Sequence, residues 1–186
     1  MDIQLNTLLV ALMFVTILSM GIGNILVTMA DIFNHATPSR RDKVHIGWIL
    51  LLLMVHFNLF WHTKAILEVE NWKFGGFLLT IAGPVLMFFA TSILLTDPPE
   101  DAKPSLSSFF VDLGCRFFVM FAILQAWIVV VGFTLSGGFV PSDAVNICLL
   151  VLALVLAFNK SEKTQVFGIF AAWGLVLGSG AIRWIG

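Results

Sequence analysis

Few residues in this chain are able to do chemistry, and most of those interrupt long apolar runs. Asn24, Thr28 and Asp31 recur at helical spacing, with Gly21 a turn earlier and His35 just beyond, so a helix carries the stripe on one face. Asp112 and Arg116 are four residues apart, the spacing at which opposite charges pair on a helix, and Ser108 and Val119 continue that face. His56, Asn58 and His62 lie in the run Val-His-Phe-Asn-Leu-Phe-Trp-His. Asn58 and His62 share a face, whereas His56 points nearly the other way and shares its face with His45.

Each pattern has a functional and a structural reading. The Asn24–Thr28–Asp31 stripe is the inner half of a solute or ion path, or a set of hydrogen bonds to a neighbouring helix. Arg116 lies well inside an apolar run, so its charge needs Asp112, Asp31 or water. The pair is an anion or proton site, or a buried ion pair that fixes packing. Two polar sides on the His45–His62 segment predict protein on both, and a hydrogen-bonded histidine there titrates near neutral pH. All 4 histidines lie in that segment or the loop before it. A haem draws its ligands from facing helices, so a metal or haem through His45, His56 and His62 would need a second copy of the chain, and no metal or cofactor is expected. Gln125 reads as an interhelical hydrogen bond. Lys64 and Glu68, four apart, read as a solvated helix end together with Glu70, Trp72 and Lys73.

Catalytic signatures are missing from the sequence, which has no GxSxG, no HExxH and no Walker loop. No catalytic residue is assigned and the pattern leans away from an enzyme, leaving one open through His56, His62, Asp112 and Glu68, which could converge in space.

The elements that carry these residues follow from composition. Of 186 residues, 59% are apolar and 11% are charged, about half the charged fraction of a soluble domain. A water-exposed fold of this length has no interior large enough for so much apolar surface, whereas lipid accommodates it. The expected fold is therefore all-α, a polytopic transmembrane bundle in one domain, 1–186, with no soluble part. Runs of roughly 20 apolar residues cross the hydrocarbon core, and about six qualify, at 5–33, 44–69, 74–96, 106–135, 144–158 and 164–185. Thr37-Pro38-Ser39, Asp97-Pro98-Pro99, Pro104-Ser105, Ser136-Gly137-Gly138 and Pro141-Ser142 break them, with Ser142 as an N-cap. The short link 159–163 makes the last two spans antiparallel neighbours.

Pro84 removes a backbone bond inside the third span and predicts a kink, the kind of broken helix that lines a cavity. Gly174 and Gly178 form a GxxxG for helix contact, and Gly75, Gly76, Ala82 and Gly83 crowd the third span. Met1 to Asn6 carries no Lys or Arg, and the run after it is too long for a signal-peptide core, so it reads as the first span. Cys115 and Cys148 lie in apolar runs and suggest neither a disulfide framework nor a thiolate metal site.

Basic residues set the expected orientation. Arg40, Arg41 and Lys43 follow the first span, Lys103 the third, and Lys160 and Lys163 the fifth. Lys64, Lys73 and Arg183 lie on the other side beside Glu68 and Glu70. That bias puts the odd loops in the cytoplasm and both termini outside. Trp61, Trp72 and Trp184 then fall at the outer interface and Trp48 at the inner one, as an aromatic belt. A net charge of −1 without a long basic run gives no footprint for nucleic acid.

The order of features in the first half resembles a type of small bacterial polytopic membrane protein of unknown function. The resemblance is carried by Ser19-Met-Gly-Ile-Gly23, the basic first loop, Phe60-Trp61 with Glu68, Asn71-Trp72-Lys73-Phe74, Pro84 and Leu94-Leu95-Thr96-Asp97-Pro98. It implies a multi-pass protein of the bacterial inner membrane and carries over no activity.

The leading functional expectation is an oligomeric channel or transporter-like subunit for a small ion or solute, because six short helices seldom enclose a path alone. The second is a membrane sensor or interaction subunit working with a partner protein. The third is an intramembrane enzyme or cofactor carrier. A channel predicts ion flux in liposomes that Asp31→Asn or Arg116→Ala alters. A partner-dependent protein predicts silent liposomes and a co-purifying chain, and a haem carrier a coloured preparation.

Overall fold

A computed structural model describes residues 5–34, 43–69, 71–96, 106–159 and 161–185. The described residues form an all-helical bundle of α1 (Leu5–Asn34), α2 (Lys43–Trp61), α3 (Thr63–Leu67), α4 (Phe74–Leu95), α5 (Leu106–Ser136), α6 (Pro141–Phe158) and α7 (Glu162–Ile185). Four helical segments are long and apolar enough to cross a membrane, namely Leu5–Asn34, Lys43–Leu67, Phe74–Leu95 and Leu113–Thr134. Ser142–Phe158 and Lys163–Gly178 are shorter apolar helices. Large apolar side chains point outward from the bundle, with Met20 56%, Phe89 51% and Phe170 72% exposed. Water would not tolerate so continuous an apolar exterior, but hydrocarbon does.

The boundaries depart from the sequence expectation in two places. The second span breaks at His62, where φ is −77° and ψ −3°, and the chain resumes as the separate short helix α3. The fifth span begins earlier than 144. Val140 rather than Ser142 takes the N-cap position, and Pro141 follows as the first helical residue, where its missing N–H is no loss. The Asp143 carboxylate accepts the Val140 N–H at 3.0 Å and places negative charge in the first turn, the end of a helix that favours it.

α2 is the hub. Its neighbours include α1, α4 and α7, and Trp48 stands edge-on to Phe118 of α5 at a centroid distance of 4.9 Å, with Phe117 and Phe121 alongside. Trp48 is thus a core residue, 1% exposed, and not part of an aromatic belt. Trp61 is exposed, with the Lys64 ammonium 4.3 Å from its ring centre. α5 packs most extensively on α6, and α4 lies between α1 and α5. In the α6–α7 hairpin, the Gln165 amide donates to the Leu156 and Asn159 carbonyls, both at 3.1 Å.

Close approaches depend on glycines other than the GxxxG pair. A Cβ on Gly83 would run into the Trp127 ring, and one on Gly168 would meet Leu156 at 2.6 Å. Gly174 and Gly178 are exposed, as are Gly75 and Gly76, and none of the four has an atom within 4 Å of an added Cβ. The GxxxG makes no helix contact within the described chain. We expect Gly83→Ala to destabilise the protein by about 1–3 kcal/mol, as overpacking does. Gly174→Ala should stay within about 0.5 kcal/mol of the parent. Thermal unfolding in detergent checks both.

Candidate functional site

The polar residues of α2 divide into two groups. His45 donates from Nε2 to the Leu94 carbonyl of α4 at 2.6 Å. His56 is fully buried, with Nδ1 2.8 Å from the Leu52 carbonyl. A carbonyl only accepts, so the neutral ring carries its proton on Nδ1 and presents Nε2 as an acceptor. Nε2 lies 3.4 Å from the Thr91 hydroxyl, whose one proton is shared with the Met87 carbonyl at 2.9 Å. Gly21 of α1 closes over the same nitrogen, and a Cβ there would come within 2.5 Å of it. His45 and His56 therefore fasten α2 to α1 and α4.

Asn58 and His62 do line a cavity, of about 400 Å³, at the end of the bundle where α2 and α5 finish and α4 and α6 begin. His62 donates from Nδ1 to the Asn58 carbonyl at 2.6 Å, a side-chain bond at the helix break itself. Glu68, beyond α3, also lines the space. From α6 come Ser142, Asp143 and Asn146. Successive turns of one helix end thus point the same way. Asp143 is 2% exposed, and its Oδ1 would lie 3.2 Å from a Cβ on Gly132, another residue of the wall.

The inner part of the cavity is shaped by α4. Pro84 has no N–H to give the Thr80 carbonyl, and Thr80 lines the cavity. Beside it, Trp127 of α5 lies across the Gly83 notch and donates from Nε1 to the Leu79 carbonyl at 2.6 Å. The Gly-Pro step and the indole therefore fit as a unit, and Trp127 becomes part of the cavity wall.

The other expected site residues lie apart from this cavity. Asn24 and Asp31 are exposed on α1 and Thr28 is partly so, so the stripe runs along the outside of the chain and not along an internal path. The reason is geometric: α1 turns Leu18, Gly21 and Ile25 inward, and the stripe sits to one side of them. Arg116 is also exposed. The Asp112 side chain lies outside the described residues, as do His35, Glu70 and the loops holding Arg40, Arg41, Lys103 and Lys160. Gln125 is 1% exposed, and its amide has no hydrogen-bond partner among the described residues, contrary to the expected interhelical bond. No group of three His, Cys, Asp or Glu side chains suited to a metal occurs among the described residues.

Sequence reasoning missed Thr80, Trp127, Asp143 and Asn146. The adjacent Gly83-Pro84, together with a tryptophan far from a span end, was the available signal. Compared with protein-family models, curated proteins and solved structures, the chain matches none. Trp127→Phe, which keeps an aromatic ring but loses both the donor to Leu79 and part of the volume that fills the Gly83 notch, should destabilise the protein by about 1–3 kcal/mol, measured by denaturant titration in micelles.

Proposed function

We propose that this chain is an integral membrane protein that takes a small polar solute into the cavity between α2, α4, α5 and α6 and passes it across the bilayer, as a channel or transporter-like subunit of an oligomer. The observation carrying the proposal is the cavity: polar side chains from α2, α4 and α6 converge on one space inside a bundle whose exterior is apolar. Thr80 is buried six residues into α4, and a polar group inside a span is retained where a solute or ion uses it. Thr80 beside the proline-interrupted step fits a half-broken helix lining a solute site. The basic-residue bias gives a cavity mouth on the outer face of a bacterial inner membrane, with both termini on that side.

A second role is favoured by the polar groups on the outside. Asn24, within an apolar helix, and Arg116 are exposed, and a polar side chain facing lipid calls for another helix to cover it. A second copy of the chain, or a partner membrane protein, meets that need and would make the chain an interaction subunit.

Proteoliposome swelling with a panel of small neutral and charged solutes tests the transport reading. The native protein should admit at least one solute faster than protein-free vesicles do. Asn146→Leu, which fills the cavity with an apolar side chain, should return the rate to the protein-free value. Asn24→Leu, outside the cavity and on the exposed face of α1, should alter assembly as read by size-exclusion chromatography in detergent. Equal rates for native protein and Asn146→Leu would remove the cavity from the path.

A further inference from the structure

We infer that the solute held in this cavity is a small organic cation, a primary or quaternary ammonium, bound by the Asp143 and Glu68 carboxylates against the Trp127 ring. The inference rests on the solute-binding reading above and gives it a substrate class. The two carboxyl side chains of the lining, Asp143 and Glu68, border the same space, and among the described residues no lysine or arginine lines it. The nearby Lys64 is turned outward onto Trp61. Asp143 is almost wholly buried and receives one backbone N–H, on Oδ2. A carboxylate has about four lone-pair sites, so one such bond offsets a small part of its desolvation. A cation in the cavity supplies the rest.

The walls decide between an organic cation and a metal ion. Phe14, Val55, Leu59, Ile128 and Trp127 make most of the surface hydrocarbon or aromatic. The described residues offer no set of three metal-ligating side chains. An alkylammonium suits both halves of this lining. Its charge meets the carboxylates, and its hydrocarbon replaces water on the apolar walls, Trp127 among them. Asn58, Ser142 and Asn146 add acceptors for N–H groups. At about 400 Å³ the space is at the small end of the range for small-molecule sites.

The test is calorimetric titration of the full-length protein in detergent with butylammonium and tetraethylammonium, against sodium butyrate and butanamide as anionic and neutral counterparts. A cation should bind at least about tenfold more tightly than either counterpart, a difference that a single well-placed charge supplies. Asp143→Asn should weaken cation binding about tenfold and Glu68→Gln by a smaller factor, with Lys163→Ala unchanged. Asparagine at 143 still accepts the Val140 N–H, so that variant should fold, and the exposed Glu68 serves should it not. Butanamide or butyrate binding as well as the cations, and weakening in Trp127→Ala, would overturn the cation assignment while leaving a solute site in place. Cation binding that neither carboxylate variant alters would also overturn it. No heat with any probe, for native protein and Asn146→Leu alike, would overturn the solute site itself.

Discussion

Inside hydrocarbon a polar group must find its partner within the protein, and in this bundle that requirement falls hardest on α2. Its histidines sit among Trp48, Ile49, Leu51 and Leu52, which are essentially inaccessible to solvent. His45 meets it through a carbonyl of α4, and His56 through its own helix and Thr91. These bonds fix how α2 is rotated against α4 and how near α1 can come, since Gly21 is the residue that lets α1 close over the imidazole. The apolar contacts around them are non-directional, so the hydrogen bonds select one arrangement among many of similar burial.

The same logic produces the cavity. With α2 fixed against α4, His62 at the break and Thr80, one turn before Pro84, border one space. Trp127 fills the gap the Gly-Pro step leaves and bonds to α4 across it. Toward the bundle end nothing as large as the indole follows, and the short side chains of Ser142, Asp143 and Asn146 leave room. The opening is thus a product of the elements that hold the bundle together and not an addition to them.

The helices were legible in the sequence because bilayer-length apolar runs leave little choice of secondary structure. Their ends were less so. Trp61-His62-Thr63 carries no glycine or proline to announce the break in the second span, and Ser142 is as good a capping residue as its neighbours. Spacing correctly placed Asn58 and His62 on a shared face. It does not tell which faces meet lipid: the Asn24–Asp31 stripe reads as part of a solute path or as bonds to a neighbouring helix, and Asn24 and Asp31 are exposed on the single chain. Glu68 reads as part of a solvated helix end, and it is exposed there while also bordering the cavity. Asp143, Thr80 and Trp127 each stand alone in sequence and become a group through contacts between helices far apart in the chain.

α5 and α6 are the most closely packed pair, yet one has 31 residues and the other 18. At 1.5 Å per residue they are about 46 Å and about 27 Å long. They join at the cavity end, so the excess of α5 lies at the far end and acts as a spar projecting past its partner. α6 is barely as long as the hydrocarbon is thick. A thicker membrane would draw its first turn, and with it Asp143, toward the acyl chains, while a thinner one would lift that turn toward the headgroups. The short helix thereby ties the wetting of the cavity mouth to the thickness of the surrounding lipid.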